Sequence, residues 1–336
     1  METNGGEKMK KMTCMAVFLI SIITASSVLA TTAWSEFSIT TTSRDQKNPA
    51  IYGNIVVWED NRNLSYDIYA YNLVTETEFS ICTAGRWQQN PAIYGNIVVW
   101  QDKRNGNYDI YGYDLSTESE FRITTNTSDQ SAPAIYGNIV VWEDIRNGNW
   151  DIYGYNLATE TEFQIATETY KQRHPAIHDN IVVWEEYHGA HDIYGYDLYT
   201  STRFSICTVT GGQRFPQIFG NIVVWQDHRN KTDNNIYGYD LLTSTEFQIT
   251  SNTNAQERPV IYGDIVLWHD NRNSNWEIYG YSLTTSTEFR ITTNANTQSF
   301  PAIHGNVVVW QDDRNGTMDI YGARWCITSS SNCFIQ

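Results

Sequence analysis

From residue 46 onward the chain alternates between short apolar bursts and polar spacers. One unit reads "PAIYGNIVVWEDNRNLSYDIYAYNL", Pro49 to Leu73, and a close copy, "PAIYGNIVVWQDKRNGNYDIYGYDL", starts at Pro91. The text returns five times more. All 7 prolines mark one position of it: Pro49, Pro91, Pro133, Pro175, Pro216, Pro259 and Pro301. The Trp ending each "VVW" or "VLW" keeps the same step, from Trp58 to Trp310. A period of about 42 residues is that of a four-stranded propeller blade.

Each unit predicts four strands. "PAIYG" is the first and "NIVVW" the second, joined at a Gly-Asn pair such as Gly53-Asn54, a strong hairpin signal. "DIYGYDL" is the third and "TEFQIT" the fourth. The second strand is apolar on both faces, which predicts burial on both. The repeated Trp is expected in the core, where each hides ~150–250 Å². Gly on the third strand (Ala70 in the first unit) predicts close approach of a neighbouring side chain. "EFSIT", Glu36 to Thr40, matches a fourth strand, whereas the last unit loses the pattern after its third. The N-terminal strand is therefore expected to complete the last blade and close the ring, in preference to "RWCIT", Arg324 to Thr328. The fold class is all-β, a seven-bladed propeller.

Residues 1–30 lie outside the repeat. Lys8, Lys10 and Lys11 precede an apolar run from Met12 to Ile23 and then "SSVLA". That layout predicts a signal peptide ending at Ala30, with an uncleaved N-terminal anchor as the rival. The domain division is 1–30 signal or anchor, 31–325 propeller and 326–336 tail. Export admits a disulfide between Cys326 and Cys333, whereas Cys82 and Cys207 sit three units apart. Formal net charge is −16; removing residues 1–30 takes three Lys and two Glu, so −16 becomes −17. Such acidity disfavours nucleic acid and anionic membrane surfaces, because phosphate binding needs a basic face.

"DIYGYDL" followed by "TEFQIT", with "D-x-R-N-G-N" before it, resembles the propeller repeat of TolB and its relatives. The tandem "AIYGNIVVWxDxRNGNxDIYGYDL" is most similar to repeats of archaeal cell-surface propeller proteins. The resemblance covers residues 36–323. It implies an exported propeller that binds something in the cell envelope, and it carries over no catalytic residue. The chain departs from TolB in having seven units rather than six.

Candidate chemistry sits in the loops. "D-x-R-N" recurs between second and third strands, with Asp60, Asp102, Asp144, Asp227, Asp270 and Asp312. Calcium is one reading of these acids; an Asp–Arg pair with Asp capping of loop amides is the other and is preferred. Gln stands three residues before every repeat proline, from Gln46 to Gln298, which suggests a repeated structural hydrogen bond. The residue after the repeat Trp is polar throughout (Glu59, Gln101, Glu143, Glu185, Gln226, His269, Gln311) and is a candidate pocket ring.

The fourth unit is the outlier. Its loop "WEEYHGAHDIY" is one residue shorter, replaces Asp by Glu186 and Arg by His188, and adds His191. With His174, Glu185 and Arg173 this could be a metal or acid–base site. Trp87, Tyr170, Phe215 and Phe300 are aromatics of the inter-blade loops that could stack on a sugar or anchor a protein. The functional expectation is a non-catalytic binding scaffold, secreted or at the cell surface, monomeric, cofactor-free, and engaging a polysaccharide or envelope protein through its loop face. The alternatives are a propeller-type polysaccharide lyase or hydrolase centred on the fourth unit, and a structural envelope protein. The absence of Gly-x-Ser-x-Gly text counts against a serine hydrolase.

Overall fold

The computed structural model describes Met1, residues 32–230 and residues 232–327. Twenty-eight strands form seven antiparallel sheets of four strands each. Blade 1 runs Gln46–Tyr52, Ile55–Asp60, Asp67–Asn72 and Thr77–Cys82, and the next five blades follow in chain order. Blade 7 is assembled from both ends of the chain. Gln298–His304, Val307–Asp312 and Asp319–Ile327 are its first three strands, and Thr32–Ser38 is its fourth. The closing strand starts four residues earlier than the repeat pattern suggests, because Thr32 to Ser35 find partners along Arg324–Ile327. "RWCI" therefore extends the third strand. The expected signal or anchor segment and Cys333 lie outside the described residues. No helix among the described residues is long and apolar enough to cross a membrane.

The blade repeats because one sheet cannot bury its own faces. Val56, Val57 and Trp58, and their equivalents in every blade, are fully buried. Each junction between blades holds its own apolar cluster. Val57, Ile68 and Ile81 of blade 1 meet Ile93, Val98 and Trp100 of blade 2. Ile39, Val307, Val309 and Ile320 of blade 7 meet Ile51, Val56 and Trp58 of blade 1, so the last junction matches the others. Each buried Trp contributes about 4–6 kcal/mol of gross transfer free energy, an upper bound.

The third-strand glycines admit the Phe of the fourth strand. A Cβ on Gly112 would lie 2.5 Å from the Phe121 ring, and on Gly238 the same distance from Phe247. Blade 1 carries Ala70 opposite Phe79, so this site accepts a methyl group when the ring shifts.

The six "D-x-R-N" carboxylates are structural links. Asp144 Oδ2 accepts from the buried Trp142 indole at 3.1 Å and from the Arg146 guanidinium at 2.6 Å, while Oδ1 accepts the Arg146 backbone N–H. Arg146 also reaches Glu162 on the fourth strand. The arrangement recurs in blades 1, 2, 5, 6 and 7. The acids that suggested calcium thus have both oxygens engaged by protein donors.

Blade 4 rewires this link. Glu186 replaces the Asp and still accepts from Trp184 at 3.2 Å. The guanidinium comes from the opposite side. Arg203 occupies the fourth-strand position held by Glu in the other blades, and bonds both Glu186 oxygens at 2.8 and 2.9 Å. His188, in place of the loop Arg, lies 2.6 Å from Glu186. The cation and the anion have exchanged strands.

Cys82 and Cys207 are free and buried. Burial pushes both thiols up to about 12.

Candidate functional site

The first strand of each blade lines a central channel. Each carries a bulge at the repeat proline, where the pairing register skips, as between Lys47 and Ala50. The residue before the proline sits in the left-handed region in every blade: Asn48, Asn90, Ala132, His174, Phe215, Arg258 and Phe300, all with φ of 49–55°. Non-glycine residues held there are strained, and strain of this kind clusters at functional sites.

A collar of hydrogen bonds holds the seven bulges. The polar residue after each repeat Trp accepts the backbone N–H of the bulge residue in the next blade. Glu59 accepts from Asn90 at 2.7 Å, Glu143 from His174 at 2.7 Å and Glu185 from Phe215 at 2.9 Å. Gln101, Gln226, His269 and Gln311 do the same, and the last reaches Asn48 to close the circle. The candidate pocket ring therefore positions the bulges. The bulge side chains surround the opening.

That opening is a funnel of about 880 Å³, lined by Tyr108, Glu143, Trp150, Arg173, His174, Phe215, Arg258 and Phe300 among others. At the opposite end aromatic rings encircle the axis. Tyr52, Tyr94, Tyr136, His178, Phe219, Tyr262 and His304 form an unbroken circle, with successive centroids 4.5–4.8 Å apart. His178 and His304 each accept a backbone N–H at Nδ1, from Gly220 and Gly53.

Titratable groups collect on one side of the mouth. His174 Nδ1 lies 3.2 Å and His191 Nδ1 3.3 Å from the same oxygen of Glu185. Both nitrogens are buried and lack a well-angled hydrogen bond. Burial opposes ionisation of Glu185, but pairing with His174 and His191 and the Phe215 N–H outweigh it and hold the carboxyl at about 2. His174 lines the funnel with Nδ1 turned to this carboxylate. Arg173 pairs with the buried Glu143 at 3.0 Å.

Two blades further on stands Arg258, with Phe215 between it and His174, whose ring lies 4.5 Å from that of Phe215. Its guanidinium carbon lies 3.6 Å from the Phe215 centroid and 5.2 Å from that of Phe300. Burial lowers its affinity for a proton, and the charges of Glu185 and Glu257 oppose that shift. Neither acid is within ion-pair distance; Glu257 is turned to His269 at 3.8 Å and to Asn234 at 2.7 Å. The site thus holds a desolvated guanidinium without an acidic partner among the described residues, separated by Phe215 from an imidazole backed by a carboxylate.

The structure divides the residues singled out from sequence. His174, Glu185, His191, Phe215 and Phe300 come together at the mouth. Glu186 and His188 belong to the rewired link, with Tyr170 stacked on His188 at 3.9 Å. Trp87 is an exposed rim residue of blade 2. Arg258 was missed. Its signal was positional: the residue before the proline is one place where flanking text repeats and the residue itself changes chemistry from blade to blade.

The chain has a β-propeller fold similar to that of TolB and other solved propellers. TolB from Acinetobacter baumannii superimposes with a TM-score of 0.52 at 16% identity, over 70% of this chain and 62% of that one. Greater overlap is found with enzymes. An oligogalacturonate lyase in complex with manganese gives a TM-score of 0.70 at 14% identity, over 88% of this chain and 96% of that one. A puromycin hydrolase gives 0.66 at 9% identity, over 89% of this chain and 57% of that one. No protein-family model matches, and no curated protein does. At these identities the likeness establishes the fold alone. The expectation of a non-catalytic binding scaffold is nevertheless corrected. These neighbours are lyase and hydrolase propellers, and they favour the enzymatic alternative. Sequence text hid that reading because the groups at the mouth come from separate blades and form no contiguous motif.

Proposed function

We propose that the protein is a lyase that cleaves uronate-containing oligosaccharides by β-elimination at the funnel mouth. The observation that carries this reading is the ring-stacked guanidinium of Arg258, without an ion-pair partner among the described residues, set beside the His174–Glu185–His191 cluster with Phe215 between them. It is supported by the kind of substrate named for the oligogalacturonate lyase neighbour. Among the described residues Arg44, Arg86, Lys103, Lys171, Arg214 and Arg258 enter no ion pair.

The chemistry follows from the groups. Arg258 binds the uronate carboxylate by charge-assisted hydrogen bonds and stabilises the negative charge that builds on it. His174, with Nδ1 against Glu185, takes the C5 proton at Nε2. The C5–H electron pair forms the C4=C5 double bond as the C4–O4 bond breaks. The imidazolium returns its proton to O4, so protons balance. Glu185 positions both imidazoles and stabilises the charged one. Manganese accompanies the neighbouring lyase, but the described residues contain no group of three His, Cys, Asp or Glu placed to hold a metal ion. No step is routed through one.

The pattern of residues 1–30 supports action outside the cytoplasm, and the tandem repeat text supports the likeness to archaeal cell-surface propellers. The test incubates the protein with galacturonate, guluronate and glucuronate oligomers and with neutral analogues, and follows the ultraviolet absorbance of the 4,5-unsaturated product. Expected are product from a uronate only, a loss of roughly 10²–10⁴ in kcat for His174→Ala, and about 10–100-fold in kcat/KM for Arg258→Ala. Saturated products, or none from any uronate, overturn the reading.

A further inference from the structure

Two rim positions lie side by side in each blade: the residue before the repeat Gln and the residue two after the collar position. In blade 2 they are joined by a backbone hydrogen bond, Lys103 N–H to Trp87 O at 2.9 Å, and the same bond recurs in blades 1, 3, 5, 6 and 7. In blade 4 the equivalent residues, Lys171 and Tyr187, pair directly in the sheet. The occupants of these positions differ. Blades 1, 3, 5, 6 and 7 hold Asp45/Asn61, Asp129/Ile145, Gly212/His228, Ala255/Asn271 and Thr297/Asp313. Blades 2 and 4 each hold one aromatic and one lysine, in opposite order: Trp87/Lys103 and Lys171/Tyr187.

Both pairs are open to a ligand and continuous with the funnel. Trp87 is 49% and Tyr187 45% exposed, against full burial of the repeat Trp. Lys103 lies over Trp87 at 5.6 Å and over funnel-lining Tyr108 at 4.8 Å. Tyr187 packs against His191 at 5.0 Å, and His191 touches Glu185. Among the described residues neither lysine has an acidic partner. An exposed ring beside an unpaired ammonium matches an anionic sugar, with an apolar face for the ring and a carboxylate for the lysine.

We propose that Trp87/Lys103 and Tyr187/Lys171 are outer subsites that bind uronate units of a chain whose central units lie over the mouth at His174. This rests on the lyase reading and extends it to substrate length. The pairs flank blade 3, so a chain lying across both passes over the mouth at Glu143 and His174.

The test compares the parent with Trp87→Ala/Lys103→Gln and Tyr187→Ala/Lys171→Gln on a digalacturonate and on polygalacturonate. Retention on immobilised polygalacturonate is measured in parallel at rising salt. Because these side chains are at the surface, circular dichroism should match the parent. Expected is about a tenfold rise in KM for the polymer in each variant, with kcat unchanged, the dimer unaffected, and earlier elution by salt. Equal effects on dimer and polymer, or none, overturn the subsites while leaving the lyase reading standing. Loss of retention in the variants of a parent that binds but does not cleave upholds the subsites and sinks the lyase reading. A parent that neither binds nor cleaves any uronate overturns both.

Discussion

Arg203→Glu in blade 4 would install the residue that the other blades carry at this position, and it should be harmful. Glu186 is fully buried and receives two hydrogen bonds from Arg203. Removing one partner of a buried ion pair costs 3–5 kcal/mol, because the remaining charge is left in a low dielectric. Arg203 is 28% exposed, so the low end, about 3 kcal/mol, is the fair expectation. Domains of 150–250 residues lose about 2–4 °C in Tm per kcal/mol, which makes the shift roughly 6–12 °C. The new carboxylate facing Glu186 adds to it. His188→Arg in the same chain returns a guanidinium to the loop, where it serves the carboxylates of the other blades, and should restore at least half of the loss. The four proteins (parent, two singles and the double) are compared by thermal melting and urea midpoint. Strict additivity of the two substitutions, or a neutral Arg203→Glu, would refute the exchange of cation and anion between strands.

Two further outcomes follow from the geometry. Glu185 is held at about 2 in the folded protein against an ordinary 4.5. A depressed carboxylate contributes stability that is full above 4.5 and is lost as pH falls towards 2, so Glu185→Gln should flatten the acid limb of a stability–pH curve in that window. The Cys82 and Cys207 thiols, at about 12 through burial, should stay unalkylated at pH 8 in the native protein and react once it is denatured, as read by peptide mass spectrometry. Native labelling at either site would refute the burial.

The fold was legible because the repeat shows its physics seven times. "VVW" is apolar on both faces, Gly-Asn marks the hairpin, and "EFSIT" at the start supplies the strand missing at the end. The site was only partly legible. Blade 4 stood out by composition, and His174, Glu185 and His191 do meet. Glu186 and His188 drew attention for the same reason, yet their departure is compensated by Arg203 on another strand, which one loop read alone does not show. Arg258 lies in text that reads as an ordinary unit. Its meaning depends on a left-handed bulge that turns the side chain towards Phe215 of the preceding blade and Phe300 of the following one.

The circle of aromatic rings from Tyr52 to His304 narrows the axis at the end of the molecule away from the funnel mouth. On the lyase reading, product made at the mouth leaves by the doorway through which substrate came in. Arrival and departure are therefore mutually exclusive events at one opening. On the same reading, a fragment still resting on Arg258 would bar the next chain, and turnover would be tied to how quickly the doorway clears.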